Sequence, residues 1–336
     1  MRCSILVLAL ISIAACQKPV GDDRMDAPPL TGEKYSINWG PVMVPPGQEN
    51  TQCILVRLAN DAEIKVHQMH NVLGPGSHHL IVYKDDMDTV EQTTPYDCQP
   101  FTGALNLSGT VAPIMITQKK DDPLTLPDGV AYTLAAHQMM RIEMHYINAT
   151  DATITATATS DFYAAPEGSV HDEASILFIG SPDINLAPGT TTTVEEFFTP
   201  MRASLDLSGA KFFAITGHTH HLGTDMQVST RETSAGVDTM VYQPVPFTWS
   251  EPLTEVHSPE FTVPQGGGLN FKCTYNNTTA ATVKFGESAN NEMCFFWAYY
   301  YPSKGSHVCV HTTQYGGLDI CCPDAGAQLC NMLNKN

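Results

Sequence analysis

Six side chains suited to binding a soft or borderline metal ion stand out, three in each half of the 336-residue chain. The first set is the adjacent pair His78 and His79, joined much later by His145 in the stretch Ile142 to Tyr146. The second is His218 and His220 in the run His218-Thr219-His220-His221-Leu222-Gly223, followed by Met293 between Glu292 and Cys294. Imidazole nitrogen suits copper, zinc, iron and nickel, whereas a thioether is soft and favours Cu(I). A three-His set and a His/His/Met set together point to two copper ions in different coordination environments. They also point to redox chemistry, which zinc does not perform.

The elements that must hold these groups are strands. His218 and His220 are two residues apart, so on a strand they share one face and His221 points away. Adjacent His78 and His79 would face opposite sides of a regular strand. Sharing one metal requires a bulge or a strand end, and Gly74, Pro75, Gly76 and Ser77 just before them can supply that irregularity. His67, His70, His221, His257, His307 and His311 read as surface or hydrogen-bonded histidines. Short β-branched and aromatic stretches bounded by Gly, Pro, Asn and Asp recur throughout: Tyr35 to Trp39, Ile54 to Leu58, Leu80 to Tyr83, Arg141 to Ile147 and Ala152 to Ala158. The same texture returns at Thr191 to Val194, Phe212 to Thr216, Met226 to Ser229, Thr239 to Tyr242, Leu269 to Tyr275 and Phe295 to Tyr301. No long amphipathic helical period appears. With 24 Gly and 23 Pro for turns, the chain reads as all-β, built from sandwiches or barrels. The strand pattern breaks between Ala164 and Asp172, a natural place for one domain to end and another to begin.

The N-terminus carries Arg2, an apolar run from Ile5 to Ala15, and Cys16. This is the pattern of a secretory signal, too short to span a bilayer. Ile13-Ala14-Ala15-Cys16 also resembles a bacterial lipobox, with Cys16 as the lipidated first residue of the mature chain; Gln17 after it suggests the outer membrane. The expectation is an exported protein, lipid-anchored to the bacterial cell envelope. Residues 17–33, rich in Pro, Asp and Gly, read as a flexible tether. No other segment has the ~18 apolar residues of a membrane-spanning helix. A net charge of −18, from 35 acidic and 17 basic residues, argues against nucleic acid as a partner. Setting aside Cys3 and Cys16, eight of the ten cysteines remain, an even number that suits disulfides in an oxidising compartment. Cys309, Cys321, Cys322 and Cys330 crowd the last 28 positions. Adjacent Cys321 and Cys322 are poor partners for each other, so Cys309 is expected to join one of them and Cys330 the other.

In order, the motifs resemble the copper type II, ascorbate-dependent monooxygenases, the family of peptidylglycine α-hydroxylating monooxygenase and dopamine β-monooxygenase. The matching features run through nearly all of the mature chain: Cys53, His78-His79, Cys98, Leu126-Pro127-Asp128-Gly129-Val130, His145-Tyr146, the run from His218 to Gly223, Cys273, and Glu292-Met293-Cys294 followed by Tyr299, Tyr300, Tyr301 and Pro302. The resemblance implies that His78, His79 and His145 bind an electron-storing copper, and that His218, His220 and Met293 bind the copper that meets O2 and substrate. It implies disulfides Cys53–Cys98 and Cys273–Cys294. It also implies two antiparallel jelly-roll-type sandwiches, at 34–165 and 166–308, ahead of a Cys-rich tail at 309–336. The two coppers would face each other across a solvent-filled cleft. The implied reaction is hydroxylation of a C–H bond with O2, one electron coming from each copper and replenished by an external donor, ascorbate or another reductant.

The chain departs from the peptide hydroxylase where that enzyme grips its substrate carboxylate. Its Arg, Asn and Tyr are replaced by Thr216, Phe295 and Trp297. A carboxylate without its cation would be costly to bury, so the expected substrate is a small apolar or aromatic molecule. Glu143 stands where the peptide enzyme has a neutral amide, two residues before His145, and can alter the copper potential or electron entry. The competing expectation is an envelope lipoprotein that captures or buffers copper without catalysis.

Overall fold

The computed structural model describes residues 29–100, 110–286, 288–313, 317–324 and 330. The signal segment, Cys16 and most of the tether lie outside the described residues. Among those described, the fold is all-β apart from one 3-10 turn, Pro200–Ala203, and a helical position at Cys330, and no helix is long and apolar enough to cross a membrane.

Eleven strands form the first half: β1 (Lys34–Val44), β2 (Glu49–Arg57), β3 (Ile64–Leu73), β4 (Ser77–Asp85), β5 (Gln92–Asp97), β6 (Val111–Thr117), β7 (Asp121–Thr125), β8 (Val130–Leu134), β9 (Met139–Ile147), β10 (Ile154–Ala164) and β11 (Asp172–Glu173). They make a sheet in the order β1-β10-β3-β8-β11, with β7 also paired to β3, and a second sheet in the order β5-β2-β9-β4-β6. Because β11 pairs with β8, the first sheet of this half extends to Glu173.

The second half comprises β12 (Ser175–Ser181), β13 (Asn185–Leu186), β14 (Thr190–Phe198), β15 (Lys211–His218), β16 (Gly223–Arg231), β17 (Thr239–Tyr242), β18 (Thr254–Phe261), β19 (Gly268–Asn277), β20 (Val283–Lys284), β21 (Cys294–Tyr301), β22 (His307–Thr312) and β23 (Leu318–Cys322). One sheet runs β18-β15-β21-β12-β22-β23, another β14-β19-β16-β17, and β13 pairs with β20. Pairing is antiparallel except at β8–β11 and β12–β22. The expected Cys-rich C-terminus forms part of the first of these sheets: β22 and β23 complete it, stapled by Cys309–Cys321 and followed by Cys322–Cys330.

Strand β21 explains how the halves join. Its sequence, CFFWAYYY, is buried throughout, which alternation alone would not predict. Phe296, Ala298 and Tyr300 point into the core between the two sheets of their own half. Phe295, Trp297, Tyr299 and Tyr301 point the other way, into a core shared with the first half. A strand covered on both faces needs apolar residues at every position. Strand β6 of the first half lies against that outer face: the Tyr299 hydroxyl accepts a hydrogen bond from Ile116 N (3.1 Å) and lies 3.3 Å from Ile116 O. Gly180, opposite Phe295 on β12, is required there, because a Cβ would sit 2.1 Å from the Phe295 ring.

Candidate metal centre

His78 and His79 enter from β4, and the pairing of β4 with β9 shifts register between Ser77 and His79. This irregularity resolves the problem posed by adjacent ligands: His79 lies opposite His145, while His78 swings to the same side. Gly76, at φ +73°, permits the tight approach to β4 that precedes it. The rings of His78, His79 and His145 have centroids 5.0–5.3 Å apart.

His218 ends β15 and His220 lies just beyond it. His218 is paired with Phe295 on β21. Carrying that antiparallel register two residues further sets His220 against Met293. The hydrogen bonds agree, since Asn291 O accepts from His220 Nδ1 (3.0 Å) and the Glu292 carboxylate accepts from the backbone N of His220 (2.9 Å) and of Leu222 (2.7 Å). Met293 itself is buried, its carbonyl held by the Tyr275 hydroxyl at 2.6 Å. The Cys273–Cys294 disulfide ties β19 to the start of β21 immediately beside it, and Cys53–Cys98 ties β2 to the segment after β5.

The two histidine sets do not face each other across a solvent-filled cleft. They form one buried cluster. The His78 centroid lies 6.1 Å from His218 and 5.7 Å from His220, and His79 lies 6.3 Å from His218. Side chains that bridge the halves account for this closure. The Gln118 amide donates to Trp249 O (2.7 Å), so its oxygen accepts from His218 Nδ1–H (2.8 Å). Glu49 binds His145 Nε2 (3.0 Å) and also accepts from Ala289 N (3.0 Å) in the other half. The aromatic wall closes behind them.

These bonds fix tautomers. With Nδ1 of His218 and His220 donating, each ring turns an unprotonated Nε2 to the cluster. Burial pushes His78 down to about 3 and His220 to about 4, and holds His79 and His218 well below the ordinary histidine value, neighbouring imidazoles adding to the effect. His78, His79, His218 and His220 are thus held as neutral imidazoles, the form that binds metal. The Nε2 atoms of His78 and His218 are buried with no hydrogen-bond partner, a costly arrangement that a metal ion would relieve. Glu49, pulled down to about 2 chiefly by its bond to His145, remains an anion behind that ligand, as outer carboxylates do in metal sites.

The predicted substrate-contacting residues lie together on one face. Thr216 is opposite Trp297, next to His218 opposite Phe295, but the Thr216 hydroxyl is engaged by Thr254 (2.8 Å). Phe178 stacks on Phe295 and Trp297 at 5.0 and 6.3 Å. A narrow recess between His79, His218, Gln118, Ile116, Phe178 and Trp297 joins this wall to the cluster. Glu143 is fully buried on the face shared with His145 and accepts from the Tyr83 hydroxyl (2.9 Å). The other histidines have partners instead: His67 with Tyr163 O, His70 with Asp121, His221 with Ala289 O, His257 with Val241 O, His307 with Asp324 and His311 with Asp319.

Sequence reasoning missed Glu49 and Gln118, which carry no motif. The Gln118 bond sets the His218 tautomer, so Gln118→Leu is expected to weaken metal binding by the His218 set about 10–100-fold, the usual cost of losing such a partner. Gln118→Glu keeps an acceptor and should retain most of the affinity. Competition titration of the added metal ion against a chelator measures both.

The fold and cluster define an all-β protein with a buried, imidazole-rich cluster that could hold a metal ion. Residues 172–319 match the family model for the C-terminal domain of copper type II ascorbate-dependent monooxygenases, a match that supports that family for the second half of the chain. The family implies copper and ascorbate dependence. No curated protein matches the chain. Among solved structures, N-glycanase F (PNGase F) aligns at a TM-score of 0.34 and 9% identity, over 81% of this chain and 96% of that one. An infectious bursal disease virus structure, Gt strain, aligns at 0.18 and 10%, over 90% and 76%. Neither likeness is close enough to bear on fold or function.

Proposed function

We propose that this chain hydroxylates a C–H bond of a small apolar or aromatic molecule, using O2 and an external reductant, with two copper ions dividing the work. His78, His79 and His145 would hold the electron-storing ion, and His218, His220 and Met293 the ion at which O2 and substrate meet. Bound copper supplies one-electron redox chemistry, and the thioether favours its reduced form. The observation that carries this reading is a cluster of buried imidazoles with ring nitrogens close enough to share an ion and orphaned Nε2 atoms on His78 and His218, in a chain whose second half matches the family.

The surrounding residues prepare the site. Glu49 orients His145 and Gln118 orients His218, so the ligands are preset before metal arrives. Glu292 holds the turn that carries His220 beside Met293. Phe178, Phe295 and Trp297 exclude water from the recess beside His218 and offer an apolar surface where the peptide hydroxylase offers a charge clamp. A glycine-extended peptide is therefore expected to bind poorly. The same proposal places the protein at the bacterial outer membrane through a lipid on Cys16, which an intact mass of the mature chain would reveal.

The test is copper-loaded protein with ascorbate under 18O2, followed by an untargeted search for products that gain one oxygen atom. The expected result is one 18O per product, with matching O2 consumption. Two bound coppers with O2 uptake coupled to no product would overturn the assignment, and tight binding of a glycine-extended peptide would overturn the apolar substrate.

A further inference from the structure

His78 belongs to two possible ligand sets at once. One ring nitrogen from each of His78, His79 and His145 lies within 4.8 Å of the others, and the same holds for His78, His218 and His220. The second set takes one ligand from the first half of the chain and two from the second. We propose that His78, His218 and His220 form a distinct site for a single borderline divalent cation such as Zn2+, and that an ion bound there clamps the two halves together.

Several independent features support a built site. All three side chains are more than nine-tenths buried. The Nε2 atoms of His78 and His218 have no hydrogen-bond partner. The Nδ1 atoms of His218 and His220 are occupied by Gln118 and by Asn291 O, which directs their Nε2 lone pairs inward. Three neutral imidazoles without a carboxylate suit Zn2+, Cu2+ or Ni2+ and disfavour Mg2+ and Ca2+. A three-imidazole zinc site leaves a fourth position for water or another ligand. His78 cannot serve both sets with the same lone pair. An ion in the shared site therefore leaves only His79 and His145 of the first set, and competes with loading of two coppers. Zn2+ has no redox chemistry, so it would act here as a closing and inhibiting ion. This site does not depend on the hydroxylation proposed above.

The experiment adds Zn2+ to the full, metal-free, disulfide-bonded protein, following affinity by calorimetry and closure by hydrogen exchange at Ile116 to Gln118 and at His218 to Leu222. One equivalent is expected to bind with increased protection in both segments. Removing a direct ligand should exceed the 10–100-fold cost of removing an outer partner, so His78→Ala and His218→Ala should each weaken that equivalent by more than about 100-fold. His79→Ala and Met293→Leu should change it less than about threefold, and the Leu variant, which preserves volume, separates ligation from packing. Equal loss in His79→Ala and His78→Ala would place the ion in the first set and overturn the proposal. So would loss in Met293→Leu, or binding without a change in exchange. Because Zn2+ supports no turnover, any of these outcomes leaves the 18O2 result untouched, and a failed 18O2 experiment leaves this site standing.

Discussion

His220→Ala is expected to lower copper-dependent turnover by three orders of magnitude or more, equivalent to about 4 kcal/mol of lost transition-state stabilisation, while leaving a folded protein. The side chain is buried, and among the described residues its one side-chain hydrogen bond is from Nδ1 to Asn291 O. Its removal costs the fold one such bond and a modest cavity, about 1–3 kcal/mol. Four disulfides and two extensive cores remain. Met293 requires a gentler change. It is packed in the core shared by the two halves, so Met293→Ala would cost about 2–5 kcal/mol through cavity formation alone and confound the measurement. Met293→Leu keeps the volume and removes the thioether. Both variants should bind one copper normally and lose the nitrogen–sulfur signature of the other in X-ray absorption. Turnover persisting within tenfold of the parent in either variant would remove His220 and Met293 from the reacting site.

The strands with clean alternation were readable from sequence. Tyr35 to Trp39 falls in β1, Arg141 to Ile147 in β9 and Leu269 to Tyr275 in β19. Strand β12 was not recognised, because SILFIGS is buried on both faces and an unbroken apolar run carries no period-two signal. The candidate ligands stood out in the sequence because imidazole pairs and a Met beside a Cys are chemically unusual, and the structure brings the histidines together. The irregularity needed by His78 and His79 was also legible, and it occurs where Gly76 and Ser77 allow it. What the sequence concealed is distance. Glu49 reaches His145 across 96 residues, and Gln118 reaches His218 across 100. A lone Glu or Gln has no spacing that marks it as the partner of a ligand. The closure of the halves was hidden for the same reason: the outer face of β21 reads as ordinary core until β6 is seen lying against it.

Glu292→Ala is expected to destabilise the protein by several kcal/mol and to erase metal binding by the His218 set. Its carboxylate accepts the backbone N–H groups of His220 and Leu222 at 2.9 and 2.7 Å, and the residue is fully buried. Alanine leaves both donors unsatisfied, at about 1–3 kcal/mol each. The turn carrying His220 then loses its tie to the strand carrying Met293. Glu292→Gln separates shape from charge. Burial pushes the carboxyl group up to about 7, against an ordinary value of 4.5. A folded pKa above the unfolded one means that the native state binds the extra proton, so stability falls as pH rises between about 4.5 and 7. Shifts of this size correspond to at most about 3 kcal/mol. The metal-free parent should therefore lose stability in urea titrations from pH 5 to pH 7.5, with the slope flattening above the folded pKa. Glu292→Gln, which keeps an acceptor and cannot ionise, should lose that pH slope. A parent whose stability rises across this window, or a Gln variant that keeps the same slope, would show that another group governs it and that Glu292 does not carry the buried charge.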